Sequence, residues 1–157
     1  SEFCAGPKAY VHRLEDVIIS TLAEWGIAGH RRERLPGVWV GGDHPSKIAS
    51  IGVRISHGVT THGFALNVCP DLAPFSYIVP CGIADCRVTS MAVLLGDAPE
   101  MSSVQERLAA NFAERFHLTW TEHIGPERFM ALITPSTAAP QEPEPPPHQA
   151  THQQGVT

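Results

Sequence analysis

The sequence lacks the features that mark membrane, secreted, metal-binding and nucleic-acid-binding proteins. No window approaches the apolar length of a membrane span, and no signal peptide opens the chain. No basic stripe carries interleaved aromatic residues, and the one basic cluster, residues 31–34, is interrupted by an acid. The nine histidines are scattered, with none at zinc-finger spacing from a cysteine. These absences argue against nucleic-acid or membrane partners and against a metal or other cofactor.

Cysteine is present but not in the pattern of a secreted disulfide framework. The four cysteines lack framework spacing and form no Cys-x-x-Cys pair; they are Cys4, Cys69, Cys81 and Cys86. With no secretory signal, this usage predicts reduced thiols in a cytoplasmic protein.

The composition indicates one globular domain followed by a disordered tail. Apolar residues make up 43% of the 157 and charged residues 17%, with a net charge of −5. After Pro135 the chain becomes rich in proline and glutamine, which bury too little apolar area to offset chain entropy. We therefore predict one folded domain over residues 1–134 and a disordered tail over residues 135–157.

Helical and strand patterns alternate along the domain. A helix begins near Pro7 and ends near Gly26, followed by a polar loop over residues 29–37. Strands are predicted over residues 38–40, 47–56 and 60–68, the last two antiparallel. A short helix follows with Thr89 as its N-cap, then a helix from Ser103 with Glu106 completing a capping box, and an edge strand over residues 117–120.

One lysine and one cysteine stand out in the stretch from Lys47 to Ile83. Cys81 lies between Pro80 and Gly82, where a tight turn exposes a sulfur and aims backbone N–H groups at an oxyanion. Lys47 begins a strand whose next residues are apolar, and a desolvated lysine favours the neutral form that acts as a general base. A thiol and an amine together suit acyl transfer.

Plainer interpretations fit the same residues. Cys81 could be an inert core cysteine, and Lys47 a solvated residue at a strand end. The glycines at positions 52 and 63 could serve close strand packing, and His62 could be a hydrogen-bonded core histidine.

The ordered motifs of the chain resemble the lipoyl(octanoyl) transferase family, part of the wider group of lipoate ligases and biotin protein ligases. The matching segments are residues 13–18 (RLEDVI), 36–40 (PGVWV), 47–54 (KIASIGVR), 62–67 (HGFALN), 78–83 (IVPCGI) and 88–90 (VTS). The resemblance implies an α/β (α+β) fold: a mixed sheet packed by helices on one side.

The resemblance also implies the site. In such enzymes the cysteine of the Pro-Cys-Gly-Ile motif carries the acyl thioester, which is Cys81 here, and the lysine of the Lys-Ile-Ala-Ser-Ile-Gly motif relays protons, which is Lys47. Two further segments line the acyl tunnel; they are Ser50, Ile51 and Gly52, and Gly63, Phe64 and Ala65. No metal or nucleotide is implied.

The implied reaction moves an octanoyl group from octanoyl-acyl carrier protein to a lysine of a lipoyl domain. Implied acceptors are the E2 subunits of 2-oxo acid dehydrogenases and the glycine cleavage H protein. An earlier Arg-Gly-Gly…Tyr-His-Gly-Pro-Gly-Gln region of the family is absent, so the chain is expected to cover roughly the C-terminal two-thirds of such a protein. Two alternatives stay open: an ATP-dependent lipoate or biotin ligase, and a non-catalytic remnant that at most binds carrier or lipoyl domains.

Overall fold

The computed structural model describes residues 6–77, 86–121, 125, 127 and 128. The chain divides into two compact units, Ser1–Trp120 and Thr121–Thr157. All the named elements lie in the first unit. The predicted boundary between residues 134 and 135, and the predicted disordered tail, lie outside the described residues. Within the described part of the chain, no helix is both long and apolar enough to cross a membrane.

The first helix, α1, spans Pro7–Ala23, as the sequence predicts. Proline in its first turn fits because the missing N–H would have no partner there. The helix ends where Gly26 adopts a left-handed conformation, with φ of 72°, and the amide of Ile27 donates to the carbonyl of Leu22 at 3.1 Å. Its buried side chains are Leu14, Glu15, Val17, Ile18, Thr21 and Leu22.

Four antiparallel strands form one sheet in the order β1-β2-β3-β4. They are β1 (Gly29–Arg32), β2 (Leu35–Val40), β3 (Ser46–Ser56) and β4 (Val59–Leu66). The predicted polar loop over residues 29–37 is wrong, because Gly29–Arg32 pairs with β2 as an edge strand. An edge strand tolerates arginines, since one side of it stays open to solvent.

The β3–β4 hairpin confirms the antiparallel pairing predicted for its two strands. Its register is regular from Ala49 opposite Leu66 to Ser56 opposite Val59. Where β4 ends, Val88 forms an isolated parallel bridge to Lys47 on the same edge of β3. The parallel contribution to the predicted mixed sheet is therefore confined, in the described residues, to this bridge.

Two further helices follow, and both of their predicted caps are wrong. The short helix α2 spans Met91–Leu95; its N-cap is Ser90, one residue after the predicted Thr89, and its hydroxyl accepts from the amide of Val93. Helix α3 spans Met101–Phe116 and starts after Glu100, so Ser103 and Glu106 lie inside it and form no capping box. The predicted strand over residues 117–120 is irregular chain. A short 3-10 helix, Ala73–Tyr77, precedes the undescribed residues 78–85.

Helices α1 and α3 cover one face of the sheet, which we call the helix face. Ile18 and Leu22 of α1 pack with Val38 of β2 and with Ile48 and Ala49 of β3. A second cluster joins Leu14 and Val17 to Phe116 of α3, with Ile51 and Val53 packed against it. This arrangement is an α+β fold, and it leaves the opposite face, which we call the outer face, to carry the candidate site.

Candidate active site

Lys47 is buried near the middle of the sheet, with 2% of its surface exposed. It lies directly opposite Trp39 of β2, and its Nζ is 5.3 Å from the centroid of the Trp39 ring. An aromatic face attracts a cation, and more strongly where water is excluded. The prediction that Lys47 leaves water is confirmed, and the alternative of a solvated strand end is wrong.

A β-bulge decides which face of the sheet Lys47 occupies. Val38 pairs with Ala49 but Trp39 pairs with Lys47, so β3 has one extra residue, Ile48, at this point. Ile48 and Ala49 both belong to the helix-side core. Strict alternation would have placed Lys47 on the helix face with Ala49 and Ile51. The bulge instead turns its side chain to the outer face, beside Trp39.

Gly37 provides the space that the lysine side chain fills. A Cβ at this position would lie 2.6 Å from Lys47 Cε and 2.4 Å from the carbonyl oxygen of Ala49, and its φ is +124°. Only glycine combines that backbone conformation with that approach.

A buried carboxylate holds Gly37 in place. Glu15, which is 3% exposed, accepts the amide N–H of Gly37 through Oε1 at 3.0 Å. Its Oε2 accepts from Arg31 Nε at 2.9 Å, and Arg31 also binds Asp16. His12 Nδ1 lies 2.9 Å from the same Oε2. Helix α1 is thereby tied to the part of β2 that the Lys47 side chain contacts.

The main chain of Lys47 is fixed by the segment that follows the predicted cysteine motif. Its amide donates to the carbonyl of Arg87 at 2.8 Å, and its carbonyl accepts from the amide of Thr89 at 3.0 Å. Asn67 strengthens this junction by donating from Nδ2 to the carbonyl of Thr89 at 3.0 Å. Cys81 itself lies outside the described residues, and it precedes Arg87 by six positions in the chain.

The six residues predicted to line the acyl tunnel divide between the two faces. Ser50 pairs with Ala65, and Gly52 pairs with Gly63, and the alternation of the strand puts both pairs on the outer face, to which the bulge turns Lys47. Ile51 and Phe64 instead pack against the helix-side core. A Cβ added at Gly52 or at Gly63 would meet no atom of the described residues within 4 Å. As far as the structure describes the chain, the outer face above these glycines is therefore open.

Three residues that sequence reasoning did not assign to the site help to form it: Glu15, Gly37 and Trp39. Glu15 carries a signal that could have been read, because it falls at helical spacing between Val11 and Ile18 on the apolar stripe of α1. A carboxylate there needs a buried partner. His62, in contrast, is an exposed residue of β4 rather than a core histidine.

Among the described residues, no group of three or more His, Cys, Asp or Glu side chains is arranged to hold a metal ion. Cys69 is a free, exposed thiol on the irregular chain after β4. The described site therefore offers a buried amine next to a strip of small residues on the outer face. We call this strip the small-residue lane; it consists of Ser50, Gly52, Gly63 and Ala65.

Comparison with known proteins identifies the family. The sequence model of the lipoyl protein ligase A/B catalytic domain matches residues 3–113. An octanoyltransferase of Chloroflexus aggregans is 54% identical over 110 residues, which are 69% of this chain and 49% of that protein. An octanoyltransferase of Bacteroides fragilis is 50% identical over 109 residues, 68% of this chain and 49% of that protein. One of Rhodospirillum rubrum is 47% identical over 119 residues, 74% and 55% of the two chains.

The chain spans about half the length of these curated relatives, less than the two-thirds expected from its motifs. The family match covers most of the compact unit Ser1–Trp120, including α1, the whole sheet and α2. By this match, the chain belongs to the family of lipoyl protein ligase A/B catalytic domains.

Proposed function

We propose that the protein transfers an octanoyl group from octanoyl-acyl carrier protein to the ε-amine of a lysine on a lipoyl domain, through a thioester on Cys81. The observation that carries the proposal is the placement of Lys47. A buried lysine would be costly if it were only structural. Here a β-bulge turns it toward the same face as four small residues of the predicted acyl tunnel.

In the first step the thiolate of Cys81 attacks the carbonyl carbon of the octanoyl thioester. A new C–S bond forms to Cys81, the C–S bond to the donor breaks, and the departing thiolate takes a proton from the ammonium of Lys47. Lys47 receives that proton when Cys81 ionises. The amine thus relays one proton from the attacking thiol to the leaving one.

In the second step the acceptor lysine amine attacks the Cys81 thioester. A C–N bond forms, the C–S bond to Cys81 breaks, and the proton lost by the amine passes through Lys47 to the sulfur. The acceptors we propose are the lipoyl domains of 2-oxo acid dehydrogenase E2 subunits and the glycine cleavage H protein. The reaction would occur in a reducing compartment such as the cytoplasm, where Cys81 stays a thiol.

The outer face gives the octanoyl chain a place to lie. The paired glycines, Gly52 and Gly63, leave space above the sheet that none of the described residues fills. Covering a hydrocarbon chain there would contribute roughly 0.8 kcal/mol for each methylene removed from water. Ser50 and Ala65 continue the lane on the side nearer Lys47 along β3.

Intact mass spectrometry after incubation with octanoyl-acyl carrier protein tests the proposal. The folded 157-residue chain should gain the mass of one octanoyl group, and Cys81→Ala should gain none. Cys69→Ala is the matched control, because it removes an exposed thiol and should leave the adduct intact. A folded sample with no adduct would support the non-catalytic alternative. Octanoylation of a lipoyl domain by Cys81→Ala in the presence of octanoate and ATP would support the ligase.

A further inference from the structure

A polar pocket that the proposed reaction does not use lies next to the Lys47 site. Its volume is about 600 Å³, and its lining residues are Arg32, Asp43, His44, Pro45, Cys86 and Arg87. These residues come from β1, from the turn between β2 and β3, and from the segment that bridges to β3.

The two guanidinium groups of this pocket are among those that form no ion pair in the described part of the chain, as are those of Arg13, Arg54 and Arg115. Arg31, Arg34 and Arg107 each form an ion pair with a carboxylate. Within the described part of the chain, neither Arg32 nor Arg87 has an ion-pair partner, although Asp43 lines the same pocket. A pocket with two guanidinium groups and a single carboxylate favours an anion.

Both arginines connect directly to the Lys47 site. Arg32 Cζ lies 5.0 Å from the centroid of the Trp39 ring, the same ring that Lys47 approaches. The carbonyl of Arg87 accepts the amide N–H of Lys47. An anion held between these arginines would therefore lie close to the Trp39 ring and to the backbone of Lys47.

We propose that this pocket binds the phosphate group on the arm of the thioester donor. This inference rests on the proposed function, which requires a donor whose acyl group is carried as a thioester. A phosphate accepts two parallel hydrogen bonds from a guanidinium, and two arginines can hold it in one orientation. His44 can add a ring N–H donor. Binding the phosphate fixes one end of the arm beside Trp39 and Lys47.

Two small donors test the inference without any contribution from a carrier protein surface. They are octanoyl-phosphopantetheine and octanoyl-pantetheine, which differ only in the phosphate. The measurement is the ratio of the second-order rates at which they acylate the protein. The wild-type ratio should favour the phosphate donor by about tenfold to a hundredfold for each guanidinium engaged. Arg32→Gln with Arg87→Gln should bring the ratio close to one.

Arg34→Gln is the matched control, because Arg34 belongs to the same hairpin but pairs with Glu33 outside the pocket. The ratio of the two acylation rates in this variant should equal that of the wild type. A wild-type ratio near one, or a ratio that persists in the double variant, would overturn the inference.

Calorimetric binding of phosphopantetheine and of pantetheine separates the two proposals. If neither donor acylates the protein but phosphopantetheine binds through the two arginines, the proposed function fails and the pocket stands. Equal or absent binding of the two compounds overturns the pocket.

Discussion

Among single residues, Lys47 is the one whose burial reduces the stability of the fold most plainly. Lys47 is almost fully enclosed, and burying an ammonium costs several kcal/mol unless its surroundings stabilise the charge. The Trp39 ring supplies part of that stabilisation, and its own position is fixed because Nε1 donates to the carbonyl of Leu35 at 3.2 Å. A buried amine held this way belongs to function more readily than to stability.

Gly37→Ala should damage the site and the fold together. The new Cβ would overlap the Ala49 carbonyl and Lys47 Cε on a backbone that an L side chain rarely adopts. We expect a loss of at least about 1–3 kcal/mol in the free energy of unfolding. Denaturant titration measures it. Gly42→Ala is the control, since its Cβ would meet nothing within 4 Å, and it should be close to neutral. Equal stability of the two variants would contradict the assigned role of Gly37.

Glu15→Gln should weaken the hydrogen bonds that join α1 to strand β2 at Gly37 and to Arg31. The amide can still accept from Gly37, but the charged hydrogen bond from Arg31 is lost inside the protein. Because Arg31 is partly exposed and water replaces some of the loss, we expect about 1–3 kcal/mol of destabilisation. Thermal or denaturant unfolding measures this, and Glu33→Gln, on an exposed pair, should have no measurable effect. If Glu15→Gln left the free energy of unfolding unchanged, the carboxylate would not be supporting strand β2 at Gly37.

The apolar neighbours of Lys47 in the sequence predict that it is buried. They do not predict which residues surround it. Trp39 and Gly37 come near Lys47 only because of strand pairing, and pairing partners are not visible in one sequence. Glu15 could have been found, since it interrupts an apolar helical stripe. Its partners, Gly37 and Arg31, required the tertiary structure.

At the scale of elements, the bulge in β3 is the main departure from the sequence pattern. The alternation of Ile51 and Val53 with Gly52 and Arg54 predicts the strand and its faces correctly. It fails at Ile48, because a bulge depends on the register with β2 and leaves no local composition signal. The side of the sheet that carries Lys47 could therefore not be predicted. The edge strand β1 was missed because its arginines resemble a loop.

Gly52→Val should change acyl-chain selectivity more than stability. The new side chain points into open space on the outer face, so the free energy of unfolding should change by less than about 1 kcal/mol. It would, however, occupy the lane in which the octanoyl chain is proposed to lie. Acylation by an octanoyl donor should fall relative to acylation by an acetyl donor, measured by intact mass against time.

Arg54→Val is the control for this change. It places the same side chain on the same face of β3, two residues further from Lys47, and should leave the ratio of octanoyl to acetyl transfer unaltered. If Gly52→Val transferred octanoyl and acetyl groups in the wild-type ratio, the acyl chain would lie elsewhere.

At the scale of the whole molecule, the order of motifs was more informative than any single motif. Strand β2 lies along one edge of β3, and β4 and Val88 lie along the other, so separate motifs of the sequence meet around Lys47. Their order in the sequence predicted the family and the α+β fold, both of which are confirmed. The placement of Cys81 and of the tail lies outside the described residues, so their roles stay predictions.

Lys47→Met tests whether Lys47 relays the protons of a thioester formed on Cys81. Methionine has a similar volume and no charge, so the fold should be kept, with an unfolding free energy within about 1.5 kcal/mol of the wild type. The rate at which octanoyl-acyl carrier protein acylates Cys81, followed by intact mass, should fall on the order of a hundredfold to ten-thousandfold. A folded Lys47→Met protein that is acylated on Cys81 at the wild-type rate would contradict the proposed role of Lys47 in proton transfer.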